Sequence, residues 1–240
     1  MREIKTGAIS IPVNDGTTMA AYLARPGTSG LHPGLIVLPE AFGVNAHIRE
    51  VVQRFAYQGF VALAPELFHR TAPDFQGRYD DVAPALEHMK AMTIPGLERD
   101  LEAACAWLLN EATVLPGDVS CVGFCMGGRA AFVAASLLPL RAAVSFYGAG
   151  IAPGLLERAP QVRAPLLFFW GGRDAHIPPE HVSETARALR AAGKSFVSVE
   201  FSRADHGFFC DARPSYDAGA ARQAWAHTIE FLKTYSGPIE

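Results

Sequence analysis

The segment SCVGFCMGGRAAF, residues 120–132, places a cysteine between glycines at the end of a short apolar run. Gly123, Cys125 and Gly127 fit the pattern G-x-S-x-G with cysteine in place of serine, a pattern typical of a sharp strand-to-helix turn that presents a nucleophile. The turn would put the sulfur at a helix N-terminus, where free amides and the helix dipole favour a thiolate. The pattern predicts that Cys125 is a nucleophile. The alternative is a small buried hydrophobe, which is the commoner fate of a free cysteine.

A nucleophile of this kind needs a base that takes its proton and an acid that orients the base. Asp174 follows the apolar run LLFFWG, and His206 follows the run SFVSVEF. Both residues would lie in loops at strand ends, and the chain order nucleophile, acid, histidine is one that parallel α/β sheets use. The sequence therefore predicts a triad of Cys125, Asp174 and His206, with ester-like acyl transfer as its chemistry.

Other side chains near these positions are weaker candidates. His176 is too close in sequence to the predicted acid to accept its orienting hydrogen bond comfortably, so we expect a loop residue. Asp205, next to the predicted base, should point away from it. Asp211 and Asp217 lie beyond the last predicted strand and are weaker candidates for the acid.

Composition limits the classes of protein that this chain can be. It has 240 residues, half of them hydrophobic, and a formal net charge of -3. This length suits one large α/β domain over residues 1–240, and the near-neutral charge gives no support for a nucleic-acid or anionic-membrane partner. The start lacks the features of a secretory signal, and no apolar stretch is long enough to span a bilayer, so a cytoplasmic location with reduced thiols is expected.

The cysteines and histidines do not have the spacing of a metal site. The four cysteines form no C-x-x-C pair, and the eight histidines include no H-E-x-x-H motif. Cys121 lies inside a predicted strand and Cys105 on the apolar face of a predicted helix, so both should be core residues. We expect neither a metal nor another cofactor.

The order of predicted elements indicates an open sheet. Runs GAISIPV and TMAAYLARP flank the turn NDGT and predict an antiparallel hairpin. Strand-length apolar runs then alternate with amphipathic segments, which is typical of a parallel sheet covered by helices on both faces. These runs lie at 34–39, 60–65, 118–124, 142–148, 165–171 and 195–201. The long mixed segment 66–96 is predicted to be a loop with a short helix that could overhang the site.

The motifs GFCMGG, GGRDAHIP and DHGF, with LPEAFGVN and APELFHR upstream, resemble those of the dienelactone hydrolase family. The resemblance covers nearly the whole chain. It implies the α/β-hydrolase fold without a large cap domain, and hydrolysis of a small-molecule ester or lactone by a carboxymethylenebutenolidase-type enzyme. We also expect a monomer or weak homodimer.

The family pattern implies roles for matching positions. Cys125 resembles the nucleophile, His206 the base and Asp174 the orienting acid, while the backbone amides of Met126 and Ala41 resemble the oxyanion donors.

A further carboxylate also matches the family pattern. Glu40, in LPEAFG, resembles the carboxylate that holds the resting thiol until substrate binds; a carboxylate beside a thiol makes the thiolate less stable and protects it from oxidation. The alternative for Glu40 is a surface carboxylate at a strand end.

The substrate is less well defined than the chemistry. Family members that act on dienelactone place an arginine four residues after the histidine, but Cys210 occupies that position here. Arg213 and Arg78 are the candidates for binding a substrate carboxylate in its place, and the alternative for each is a solvated surface arginine. Tyr147 also matches a position near the family's site, although a strand-end tyrosine is as often structural.

Two other functions stay open at this point. One is a broad carboxylesterase or thioesterase of the same fold, with a more apolar pocket lined by Phe42, Phe208 and Phe209. The other is a non-catalytic binding module, against which the intact triad argues.

Overall fold

The computed structural model describes residues 3–237. Over that range the chain alternates strands and helices after an initial hairpin. In chain order the elements are β1 (Ile4–Pro12), β2 (Thr18–Pro26), β3 (His32–Leu38), α1 (Ala46–Tyr57), β4 (Val61–Pro65), α2 (Ala83–Ala91), α3 (Ile94–Asn110), β5 (Val114–Phe124), α4 (Met126–Leu137), β6 (Ala143–Phe146), a 3-10 helix (Leu156–Gln161), β7 (Leu166–Gly171), α5 (Pro179–Ala191), β8 (Phe196–Phe201) and α6 (Ala218–Tyr235). None of the helices within residues 3–237 is both long and apolar enough to cross a membrane.

The described residues fall into two compact units, and the first contains residues up to Ser120 together with Ser236 and Gly237. Its strands have the order β1-β2-β4-β3, with β5 next to β3. β1 pairs with β2 antiparallel along its whole length, which confirms the predicted hairpin. β2 pairs with β4 antiparallel, whereas β3 and β4 are parallel and buried along their whole lengths.

The second unit runs from Cys121 to Tyr235 and contains the end of β5. Its strands follow the order β5-β6-β7-β8, and every neighbouring pair is parallel. β6 and β7 are buried at every residue, which explains why their sequences are apolar on both faces. The predicted mostly parallel sheet with an antiparallel edge hairpin is confirmed. A single domain over residues 1–240 stays a prediction.

The segment 66–96 follows β4. An irregular stretch leads to α2, and the end of the segment forms the first turn of α3. Only Ala85 of α2 is buried, so this helix rests lightly on its unit. α3 begins after Thr93, whose hydroxyl accepts a hydrogen bond from the Gly96 amide at 3.2 Å. Residues 66–91 therefore have the predicted structure, a loop that contains a short helix.

The irregular stretch is fastened to the loop that follows β3. The Gly77 amide donates to the Phe42 carbonyl oxygen at 3.0 Å, and the rings of Phe42 and Tyr79 meet edge to face with centroids 4.6 Å apart. A side chain at Gly43, whose φ is +71°, would collide with the Phe75 carbonyl oxygen. A glycine is therefore required at this position.

A buried charge cluster holds the start of the same stretch. The Asp100 side chain is fully buried and accepts two hydrogen bonds from Arg70, at 2.7 and 2.8 Å. Nε2 of His69 lies 3.0 Å from Asp100 Oδ1, and Arg70 also donates to Asp15 at 2.8 Å. The cluster thereby joins the hairpin turn, the stretch after β4 and α3.

We predict that Asp100→Asn lowers the free energy of unfolding by about 3 kcal/mol, because it leaves a partly buried guanidinium without its main counter-charge. Urea denaturation followed by tryptophan fluorescence measures this change. Asp80→Asn is the matched control, since Asp80 pairs with Arg78 on an exposed surface and exposed pairs contribute little. Equal midpoints for the two variants would contradict a stabilising role for the cluster.

Candidate active site

Cys125 occupies a strained turn between β5 and α4. Its φ of 54° and ψ of -114° are unusual for a residue with a side chain, and it is the residue that precedes α4. A Cβ at Gly123 would collide with the Gly127 carbonyl oxygen, and one at Gly128 with the Phe146 carbonyl oxygen. These close approaches explain the glycines at positions 123 and 128.

Cys125 also differs from the other cysteines in exposure. It is partly exposed, whereas Cys105, Cys121 and Cys210 are buried. Burial raises the pKa of the Cys105 thiol to about 11, so that thiol is unreactive at neutral pH. Core positions for Cys105 and Cys121 agree with the sequence analysis.

Asp174 and His206 are brought together by the loops after β7 and β8. The Asp174 side chain is fully buried, and its Oδ2 lies 2.7 Å from Nδ1 of His206. Its other oxygen accepts a hydrogen bond from the His176 amide at 2.8 Å. The Arg173 amide donates to the Ala204 carbonyl oxygen at 3.0 Å and holds the two loops together. Both oxygens of the carboxylate are thus satisfied, and its orientation is fixed.

The His206 ring is enclosed by other rings. Tyr147, which has a φ of 36° just after β6, meets it edge to face with centroids 5.1 Å apart. His176 meets it in a similar way at 4.8 Å. These contacts leave little room for the imidazole to rotate. His176 therefore contributes a ring contact and a backbone hydrogen bond, while His206 is the histidine bonded to the acid.

The charge of His206 follows from its partners. Burial has the largest single influence and lowers the pKa of the ring. Hydrogen bonds with Asp174 and Cys125, and attraction to their negative charges, outweigh burial and raise the pKa from 6.5 to about 10. His206 is therefore an imidazolium at neutral pH in this arrangement.

The competing acids lie apart from this arrangement. Asp205 is exposed, as expected for a residue that points away from its neighbour. Asp217 accepts hydrogen bonds from the Gly219 and Ala220 amides, both at 2.9 Å, at the start of α6. Its side chain therefore caps that helix.

The predicted site residues of the first unit lie after β3 and β4. Glu40, Ala41 and Phe42 are buried in the loop that follows β3. Arg78 is exposed, and its guanidinium donates to both oxygens of the Asp80 carboxylate, at 2.8 and 2.6 Å. Arg78, a candidate from the sequence for binding a substrate carboxylate, is therefore already paired with a carboxylate of the protein.

The remaining predicted residues belong to the second unit. Phe208 is fully buried, and its ring packs against Tyr147 and Phe201 at 5.3 Å in each case. Arg213 lies against Gly207, the residue after His206. Phe208 is thus part of an aromatic core, while Arg213 lies close to the end of the histidine loop.

Sequence reasoning did not single out Arg129. It is part of the quoted motif, four residues after Cys125 in the first turns of α4, and its guanidinium lies against Gly150.

Three comparisons with known proteins show what this chain is similar to. The profile described as "Dienelactone hydrolase family" matches residues 19–236. A protein of Synechocystis sp. named "Putative carboxymethylenebutenolidase" is 38% identical over 241 residues, covering 97% of this chain and 98% of its own. A protein of Bradyrhizobium sp. named "Probable 2-oxo-3-(5-oxofuran-2-ylidene)propanoate lactonase" is 29% identical over 229 residues, covering 91% and 90%.

A solved structure gives the fold. The Klebsiella pneumoniae protein named "Putative Dienelactone Hydrolase" is 31% identical and superposes with a TM-score of 0.89, covering 97% of this chain and 100% of its own. This likeness confirms the predicted fold class, and residues 3–237 contain no large inserted cap.

We predict that the His206 ring stays protonated until the pH approaches 10, and that Asp174→Asn lowers its pKa. Histidine ring resonances in NMR titrations measure both values, with Asp205→Asn as the control that leaves the titration unchanged. Because the pKa is higher in the folded chain than the ordinary 6.5, the stability that it contributes is complete below pH 6.5 and lost as the pH rises towards 10. A midpoint near 6.5 in the unaltered protein would contradict the hydrogen-bonded arrangement.

Proposed function

The chain belongs to the dienelactone hydrolase family and is a hydrolase of ester or lactone bonds, and we propose that it works by acyl transfer through Cys125. The observation that carries the proposal is the pair of hydrogen bonds on His206. Nδ1 meets Asp174 at 2.7 Å, and the ring also bonds to Cys125. With Nδ1 engaged, Nε2 is the ring nitrogen that serves the sulfur.

The proposed reaction begins with a thiolate and an imidazolium. The Cys125 thiolate attacks the carbonyl carbon and forms a tetrahedral intermediate. The Met126 amide supports its oxyanion, because the first residue of α4 has no partner for its N–H within the helix. The intermediate expels the alkoxide or enolate, which takes the proton of His206, and an acyl thioester remains on Cys125.

Deacylation uses the same groups in reverse order. Neutral His206 removes a proton from water, and the resulting hydroxide adds to the thioester carbonyl carbon. Collapse of this second intermediate releases the carboxylic acid and regenerates the thiolate beside the imidazolium. The Ala41 amide, in the loop after β3, is proposed as the second oxyanion donor on the strength of the family pattern.

Leaving-group chemistry favours esters and lactones over peptides. A thiolate leaves more readily than an amine, so the intermediate formed from an amide tends to return to the starting amide. An ester or enol-lactone supplies a leaving group that competes with the thiolate. The Bradyrhizobium relative is named for a lactone that carries a propanoate, so carboxylate-bearing substrates belong among the test compounds.

The proposal also names residues that would contact the substrate. Phe42 and Tyr147 are proposed to shape the apolar side of the site, and Arg78 or Arg213 to bind an acidic group, while the burial of Phe208 in the aromatic core removes the support for a contact with substrate. The Arg78–Asp80 pair lessens the support for Arg78. We also propose that the protein is cytoplasmic and that it is a monomer or weak homodimer.

The broad carboxylesterase or thioesterase remains the alternative activity. Phe209, which was expected to line its apolar pocket, is buried and stacks on Phe124 with centroids 5.1 Å apart. This packing weakens the support for that pocket. Comparing neutral aryl esters with a carboxylate-bearing lactone separates the two activities.

We predict that Cys125→Ala lowers kcat/KM for 4-nitrophenyl acetate by about 10³-fold or more, because the covalent step is lost. Cys125→Ser should also lose most activity while keeping the fold, because the site is arranged for a thiol. Cys105→Ala is the control, since it removes a thiol that burial keeps unreactive. Equal rates for Cys125→Ala and the unaltered protein would eliminate the mechanism.

Glu40 is proposed to restrain the resting thiol, as the family pattern implies. We predict that Glu40→Gln speeds alkylation of Cys125 by iodoacetamide and moves its pH profile to lower pH, since a negative charge that opposes the thiolate is removed. Peptide mass spectrometry follows the labelling. Glu66→Gln is the control, because Glu66 is another buried carboxylate at a strand end. An unchanged profile in Glu40→Gln would remove Glu40 from the mechanism.

A further inference from the structure

β8 is an edge strand that lacks the usual protection against pairing with another strand. Among the strands of residues 3–237 its neighbour is β7, and its sequence FVSVEF contains neither lysine nor proline. β1, the edge strand of the first unit, has the sequence IKTGAISIP, with a lysine and a terminal proline that both discourage pairing. The unprotected edge of β8 presents N–H and C=O groups to which a further strand can add.

The backbone groups on the free side of β8 follow from its hydrogen bonds to β7. The Leu166 amide donates to the Ser195 carbonyl oxygen at 3.1 Å, and the Gly172 amide donates to the Phe201 carbonyl oxygen at 2.9 Å. Successive residues of a strand direct their backbone groups to opposite sides, so the odd-numbered residues of β8 bond to β7. The N–H and C=O groups of the even-numbered residues within 196–200 therefore point away from the sheet.

The side chains of β8 hold the strand in position and leave an apolar group exposed between its ends. Phe196 lies beneath the Arg190 guanidinium, 5.5 Å from it, and Phe201 stacks on Phe169 with centroids 6.1 Å apart. Val197, between these anchors, is 47% exposed. A second strand on this edge would remove the valine from water without first having to order β8.

One antiparallel register of two β8 strands brings opposite charges together. Even-numbered residues form the hydrogen-bonded pairs, and one such register places Phe196 opposite Ser198. The same register places Lys194, which is partly exposed, opposite Glu200, which is exposed. Val197 then lies opposite its own copy at the two-fold axis. A shift by one pair places Glu200 opposite Phe196 instead, so the charges favour the first register.

We propose that β8 is the interface of a homodimer, in which two copies of this chain add their β8 strands antiparallel around a two-fold axis at Val197. Each contact then occurs twice, so the attraction between Lys194 and Glu200 acts on both sides of the axis. A strand of six residues buries little area, so the dimer is weak, with a Kd in the micromolar range or above. The proposal does not depend on acyl transfer, since none of the residues of the predicted triad lies in β8.

The first experiment measures self-association by sedimentation velocity between micromolar and millimolar protein concentration. The unaltered chain should convert from monomer to dimer over this range. Val197→Lys should raise the Kd about tenfold or more, because it places like charges opposite each other at the axis. Ala8→Lys is the matched control, since it adds the same charge at an exposed position of β1 and should leave the Kd unchanged. Circular dichroism spectra verify that both variants are folded.

The second experiment tests the register by exchanging the two charges. Lys194→Glu alone or Glu200→Lys alone should raise the Kd about tenfold, because like charges then lie opposite each other on both sides of the axis. The double variant Lys194→Glu/Glu200→Lys should recover the Kd of the unaltered chain. High salt should weaken the unaltered dimer and strengthen that of each single variant, as expected for charge pairs exposed to solvent.

Hydrogen exchange followed by NMR locates the interface without a mutation. The amides of Phe196 and Ser198 should exchange more slowly at high protein concentration, whereas that of Val197 faces β7 and should change little. Three results would overturn the proposal. They are a chain that stays monomeric at millimolar concentration, a dimer weakened by Ala8→Lys but not by Val197→Lys, and a double charge variant that fails to recover the Kd.

Discussion

The hydrogen bond between His206 and the buried carboxylate of Asp174 is the interaction on which the proposed chemistry of this chain depends. It engages Nδ1 of the imidazole and so leaves Nε2 for other partners. It also raises the pKa of the ring, which burial alone would lower. A carboxylate with both oxygens satisfied can hold that position without rearrangement. The loops that carry the pair are joined by backbone hydrogen bonds, so the geometry belongs to the fold and not to one mobile side chain.

Much of this arrangement could be predicted from local patterns. Apolar runs that extend over both faces indicated buried parallel strands, and NDGT between alternating runs indicated the hairpin. The glycines around Cys125 indicated a tight turn because a close approach of backbones excludes side chains, and that crowding is present at Gly123 and Gly128. Chain order then selected Asp174 and His206, since loops after neighbouring parallel strands lie at one edge of a sheet.

Other features depend on tertiary contacts that a sequence pattern does not encode. Phe208 follows the histidine and looked like a pocket wall, but it is enclosed by Tyr147 and Phe201. Arg78 looked available as a cation, but Asp80, two residues on, already binds it.

The packing of the turn that contains Cys125 constrains how this protein could change over evolutionary time. Gly123, Gly128 and Gly148 each have a backbone or side-chain neighbour where a Cβ would have to stand. Single mutations at these codons would therefore be removed by selection, even when they leave every reacting group in place. New substrate preferences would have to arise by mutation of the surrounding loops, while the turn itself is inherited unchanged.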